Sequence, residues 1–205
     1  FDKSSRINNN KSFCGFGRMG KGNKMELVLD HEVVGEGNRY IAFLHGWPDS
    51  ARLYDEAVAH FCKTHKCVTI TLPNFGEDGS VALTFGPNFD ELVDAIRATL
   101  EHVGFDHNSD HLTLVQHDWG SALGWLFLKR YPSYVKRIVA LDISCSVEPS
   151  PVELLAILAY QLWLVAAWFL WAFLPLLGQP IGNFMTNWLA RFFGAPRVRA
   201  GLPVT

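Results

Sequence analysis

The segment Gln116-His117-Asp118-Trp119-Gly120-Ser121 constrains this 205-residue chain more than any other. It follows a β-like run, His111 to Val115, and opens a helical run, Ser121 to Arg130. A strand, one sharp turn and then a helix throw a single side chain up over the edge of a sheet. In the serine version of this turn, G-x-S-x-G, small neighbours let the backbone adopt a strained conformation. Here the central residue is Asp118, so the side chain presented is a carboxylate.

The flanking sequence supplies the rest of a layered fold. Met25 to Asp30 and Tyr40 to Leu44 read as strands, with Gly35-Glu36-Gly37-Asn38 as the turn between them. A helix is expected from Asp49-Ser50 to about His60, with Leu53, Ala57, Val58 and Phe61 on one face. Cys67 to Leu72 reads as a strand ended by Pro73-Asn74-Phe75-Gly76. Asn88 caps a helix that carries Phe89, Leu92, Val93, Ile96 and Leu100 on one face. A last strand runs from Arg137 to Ile143. Strands alternating with helices, in apolar runs, predict a parallel sheet covered on both faces.

Two motifs in this order make the chain resemble the α/β-hydrolase fold over about residues 26–144. One is the turn at Asp118. The other is His45-Gly46-Trp47-Pro48, straight after the second strand. Together they resemble the epoxide hydrolase and haloalkane dehalogenase branch, whose members carry H-G-x-P and G-H-D-W-G. Gln116 stands where that branch carries Gly, a departure that bears on the tightness of the turn and not on Asp118. The resemblance implies an α/β-hydrolase fold, truncated, with residues 25–144 as the first part of the core and 145–205 as the start of a helical cap. Residues 1–24 hold six basic residues and only Asp2 as an acid, with nothing to bury a core. They read as a disordered leader or as sequence upstream of a start at Met25.

Asp118 is the expected nucleophile. A carboxylate attacks a saturated carbon and leaves an alkyl ester on the enzyme, which water must hydrolyse. That chemistry opens epoxides or displaces halide. The helix N-terminus behind Asp118 would stabilise its charge, and the bland alternative is an Asp that merely starts the helix. The ester is cleaved through an oxyanion, which needs two backbone N–H groups close by; the resemblance assigns them to Trp47 and Trp119. The side chains of these two tryptophans, with His45, Gly46, His117 and Tyr160, are expected around the substrate, although in the family a His at position 45 supports the loop. Trp47 in the third place of H-G-x-P leans the reading toward epoxides, because dehalogenases often carry Asn there. Asp142, at the end of the Arg137–Ile143 strand, stands where some dehalogenases place the acid that orients the catalytic His, or it simply ends the strand. No His follows His117, so the base for hydrolysis is not supplied by this chain, which favours a fragment of a longer enzyme.

From Leu154 to Ala190 there is no charged residue, and Leu154 to Leu174 is long enough to span a bilayer as a helix. Pro175, Gly178 and Pro180 are expected to break it. Three readings stay open: a cap helix, a transmembrane anchor, or a lid that dips into the bilayer to collect lipophilic substrate. Tyr160, as the Tyr of this region, is a candidate donor to an epoxide oxygen or a packing residue. A net charge of −2 gives no reason to expect nucleic acid. Cys14, Cys62, Cys67 and Cys145 lack metal-ligand spacing and read as thiols of an intracellular protein, cytoplasmic or membrane-associated. No cofactor or metal is expected, and the expected partner is a small lipophilic substrate. The rivals are a dehalogenase using the same Asp and a membrane-anchored protein that keeps the fold for binding.

Overall fold

The structure, a computed structural model, describes residues 26–73, 75, 87–142, 149–174 and 176–193. The expectations for residues 1–24, for the loop at Asn74 and Gly76, and for Ile143 and Pro175 lie outside the described residues. The chain divides into two compact units, 1–145 and 146–205.

The first unit is built on five strands: β1 (Asp30–Val34), β2 (Arg39–Leu44), β3 (Lys66–Thr71), β4 (His111–His117) and β5 (Val135–Leu141). Their order in the sheet is β1-β3-β2-β4-β5. β2 to β5 are mutually parallel, as expected, but β1 runs antiparallel to β3. The turn after β1 is the reason. A link of four residues reverses the chain and cannot carry the crossover that a parallel strand needs. Gly35 sits there at φ +89°, and a Cβ on it would lie 2.3 Å from the His65 carbonyl oxygen. The first strand therefore falls at Asp30–Val34, later than Met25–Asp30, and the last ends at Leu141.

Helices cover both faces, as the apolar strand runs require. On one face α2 (Phe89–His102) and α3 (Trp119–Arg130) bury Val93, Ile96, Leu100, Leu123 and Phe127 against Leu44, Val68, Leu112 and Leu114. On the other, a 3₁₀ turn (Ala51–Tyr54) leading into α1 (Asp55–Phe61) brings Tyr54 and Leu53 onto Ile41, Phe43 and Cys67. α2 begins with a reciprocal cap: Glu91 N–H donates to Asn88 Oδ1 at 2.9 Å, and Asn88 N–H donates to Glu91 Oε2 at 3.0 Å. β4 shows why the centre of the sheet is rigid. Leu112, Leu114 and Gln116 are fully buried on one face, while Thr113, Val115 and His117 on the other are only partly covered.

The second unit is an antiparallel helix pair, α4 (Pro151–Phe173) and α5 (Gly178–Phe192). Ser150 and Glu153 form another reciprocal cap at the start of α4. The helical region breaks after Leu174, where it was expected to, but Gly178 and Pro180 lie in the first turn of α5 rather than in the break. A proline in the first turn costs nothing, because the N–H groups there have no intrahelical partner. Among the described residues of the break, Leu176 has φ +62°. Gly178 and Gly182 face α4 at the seam: a Cβ on Gly178 would lie 2.1 Å from the Leu170 carbonyl oxygen, and one on Gly182 2.6 Å from that of Ala167.

Candidate active site

Asp118 joins β4 to α3 with φ +51° and ψ −123°. A non-glycine residue held there is strained by roughly 1–3 kcal/mol. The helix that follows offsets this, since Leu123 and Phe127 are fully buried and each such side chain stabilises by about 1.5–3 kcal/mol. The strained turn is what points the Asp118 side chain away from α3. Its carboxylate makes no cap hydrogen bond to that helix, so it does not behave as an ordinary N-cap Asp.

The carboxylate is instead held by the other motif. Trp47 N–H donates to Asp118 Oδ1 at 2.8 Å. Three glycines make the approach close enough. A Cβ on Gly46 would lie 2.3 Å from Asp118 Oδ1 and 2.6 Å from the Trp119 backbone nitrogen. A Cβ on Gly120 would lie 2.3 Å from the Leu44 carbonyl oxygen, which is how the first turn of α3 packs onto the end of β2. A Cβ on Gly124 would meet the side-chain oxygen of Gln116. Gly46 Cα thus has the Asp118 carboxylate and the Trp119 amide nitrogen as immediate neighbours, with the Trp47 amide next along the chain.

His45 is fully enclosed. Its Nε2 accepts from Leu72 N–H at 3.1 Å, and its Nδ1 lies 3.2 Å from the Gly46 carbonyl oxygen. Against the expectation of a residue around the substrate, this ring fastens the end of β2 to the end of β3, and burial is the physical reason it cannot reach a ligand as it stands. Beneath the same loop, Tyr54 Oη donates to the Leu44 carbonyl oxygen at 2.9 Å. Burial, and then the charge of Asp49, push its hydroxyl well above the usual tyrosine range.

His117 and Asp142 meet at the carboxyl ends of β4 and β5, with Nε2 and Oδ2 3.2 Å apart. Asp142 is largely exposed and has φ +79°, a conformation that Asp tolerates better than most residues. Among the described residues the buried Nδ1 of His117 has no hydrogen-bond partner. The same is true of both polar atoms of the Gln116 side chain. The Trp119 indole is half exposed and stacks on Phe89, with ring centroids 6.0 Å apart. Tyr160 belongs to the second unit, where its ring meets Phe193 edge-on. Among the described residues no group of three or more His, Cys, Asp or Glu side chains is gathered so as to hold a metal.

Phe89 and Gly124 were not legible as parts of the site. The Gly120 spacing after Asp118 is a signal for a close approach, but what approaches is a strand 75 residues earlier in the chain, at Leu44–His45.

A family model described as the alpha/beta hydrolase fold matches residues 41–192. Epoxide hydrolase 1 of Caenorhabditis elegans is 27% identical over 122 residues, 58% of this chain and 29% of that protein. The cis-3-alkyl-4-alkyloxetan-2-one decarboxylase of Shewanella oneidensis is 29% identical over 126 residues, 59% of this chain and 36% of that protein. Among solved structures, the epoxide hydrolase CorEH without ligand aligns with a TM-score of 0.57 at 18% identity, covering 82% of this chain and 56% of that one. The Bacillus megaterium epoxide hydrolase in complex with an inhibitor aligns with a TM-score of 0.53 at 25% identity, covering 84% and 58%. The chain spans about a third of the length of the curated relatives it matches.

Proposed function

The chain belongs to the α/β-hydrolase family, and on that premise we propose that it carries the nucleophile half of an enzyme that opens epoxides through an aspartyl ester on Asp118. Its similarity to epoxide hydrolases, at low identity, supports this class. The observation that carries the reading is the 2.8 Å hydrogen bond from Trp47 N–H to Asp118 Oδ1 across a strained turn.

With Oδ1 held by that N–H, Oδ2 is the oxygen that attacks. It forms a bond to an epoxide carbon; the carbon–oxygen bond of the ring breaks, and its electron pair passes to the ring oxygen, which takes up a proton. The product is an ester of Asp118. Water, giving its proton to the base of the complete enzyme, then adds to the ester carbonyl carbon and Oδ1 becomes the oxyanion; its collapse breaks the bond from that carbon to Oδ2, and the diol leaves with Oδ2 and the proton. Oδ1 is already seated at the Trp47 amide, with the Trp119 amide as the second donor. The Trp47 donor thus serves the carboxylate before attack, and the Trp119 amide joins it at the oxyanion. The substrate is a small lipophilic molecule, and Asp142 is a positioning acid for the base of the complete enzyme.

The test uses the full-length protein in excess over an epoxide, in water labelled with oxygen-18. Hydrolysis of an aspartyl ester deposits the label in the Asp118 carboxylate, read by mass spectrometry of its peptide. D118N should show neither label nor product. Label found in the diol after the first turnover, with none in Asp118, overturns the reading. The Shewanella oneidensis relative favours a second reading, since its name denotes action on an oxetan-2-one, also a strained oxygen ring. A β-lactone consumed with loss of carbon dioxide, while epoxides are left intact, would put that reading first. Halide released from a haloalkane in the same assay would favour a dehalogenase.

A further inference from the structure

The helix pair α4–α5 keeps its charge away from its turn. Glu153 lies in the first turn of α4 and Arg191 in the last turn of α5. Between them no residue is charged. The pair is antiparallel: Tyr160 meets Phe193, Trp163 meets Trp188, and Gly178 packs on Leu170. Both charges therefore lie away from the turn, with Arg191 about level with Tyr160 and Glu153 about two turns of α4 further out. The opposite end is the turn Leu174 to Leu177, with Leu176 98% exposed and Leu177 61% exposed; Gln179 is its polar exception.

α4 is apolar all round, and 6% of its most apolar window is buried. A helix of that kind must be covered by something. We infer that the α4–α5 pair enters a lipid bilayer from one side, turn first, and returns to that side without crossing. Three observations favour lipid as the cover. Two polar side chains of α5 bond to its own backbone: Thr186 Oγ1 donates to the Gly182 carbonyl oxygen at 3.0 Å and Asn187 Nδ2 to that of Asn183 at 2.7 Å. The Trp163 indole N–H likewise donates to the Met185 carbonyl oxygen at 3.0 Å. Such closure removes much of the cost of taking polar groups into hydrocarbon. The charged end carries Arg191, with Arg197 and Arg199 following in the sequence, which complements anionic headgroups.

Length decides against a full crossing by both helices. α4 has 23 residues and is about 34 Å long, enough for a hydrocarbon core of about 30 Å. α5 has 15 residues and is about 22 Å long, too short to cross. With α5 packed along α4 and ending level with about Tyr160, the length of α5 sets the depth reached, and the chain before Ser150 and the chain after Phe193 lead to the same side. This does not depend on the reaction assigned to Asp118.

The test adds the full chain, kept soluble in mild detergent, to preformed phosphatidylcholine–phosphatidylglycerol vesicles as the detergent is diluted. The vesicles are floated on a density gradient and treated with external trypsin. Wild type should float, and trypsin should cut after Arg191, Arg197 and Arg199. Protection of those three bonds means that the chain crosses, and overturns the inference. Failure to float also overturns it and makes protein the cover. The variant L176D separates insertion from misfolding, because Leu176 is almost wholly exposed and Asp tolerates its positive φ. It should keep the helical circular dichroism of wild type and lose flotation. Undiminished flotation of L176D overturns the turn-first geometry.

Discussion

The amide of Trp47 and the carboxylate of Asp118 lie 71 residues apart in the chain and 2.8 Å apart in space. Two loops at the ends of the adjacent parallel strands β2 and β4 bring them together. The approach depends on the absence of side-chain atoms at Gly46, and the first prediction follows from that.

Gly46→Ala should leave the fold intact and disable the site. The added methyl would fall 2.3 Å from Asp118 Oδ1 and 2.6 Å from the Trp119 nitrogen, so the carboxylate must leave its place. Loss of one oxyanion donor typically costs about 10²- to 10³-fold in kcat, and a loss of that size is expected for epoxide turnover by the full-length protein. An unchanged kcat would separate Gly46 from the chemistry.

Gln116→Met should stabilise the protein. Both polar atoms of Gln116 are buried and lack partners among the described residues, and a buried unsatisfied group costs about 1–3 kcal/mol. Met keeps the unbranched shape without the polar atoms. Urea denaturation should give a higher midpoint with the same slope; a lower midpoint would mean that the amide is satisfied in solution.

His45→Ala should destabilise. The Leu72 N–H loses its acceptor in a closed site, at a cost of roughly 1–3 kcal/mol, and a cavity adds to this. The measurement is again a urea midpoint.

Alkaline pH should weaken the fold through its tyrosines. Burial first, then the hydrogen bond to Glu101, push Tyr134 up to about 12. Burial and Asp49 push Tyr54 higher than that range. A raised folded value means stabilisation that is fully present below the unfolded value of about 10 and lost as pH rises through the folded one. Thermal melts should therefore fall steadily above pH 10, and ultraviolet absorbance should show a late-ionising class of tyrosine. Tyr54→Phe and Tyr134→Phe should each flatten the fall.

The sequence by itself determined the local grammar of this protein. Asn88 caps α2 and the strand–Asp118–helix order survives intact, because each of these signals is complete within a few consecutive residues. It also determined the family, since two short motifs in the right order suffice. Only the tertiary structure decided what those residues meet. β1 turns antiparallel because a four-residue link cannot cross over, although its own residues read like any other strand. Pro180 begins a helix because its place in the first turn, and not its identity, decides the cost. Gly46, Gly120 and Gly124 are required by Asp118, Leu44 and Gln116; two of them stand in the motifs, but what each one meets is not written beside it in the sequence. His45 reads as a ligand beside a site and folds as a buried tie, since whether an imidazole faces solvent or Leu72 depends on which strand packs beside it.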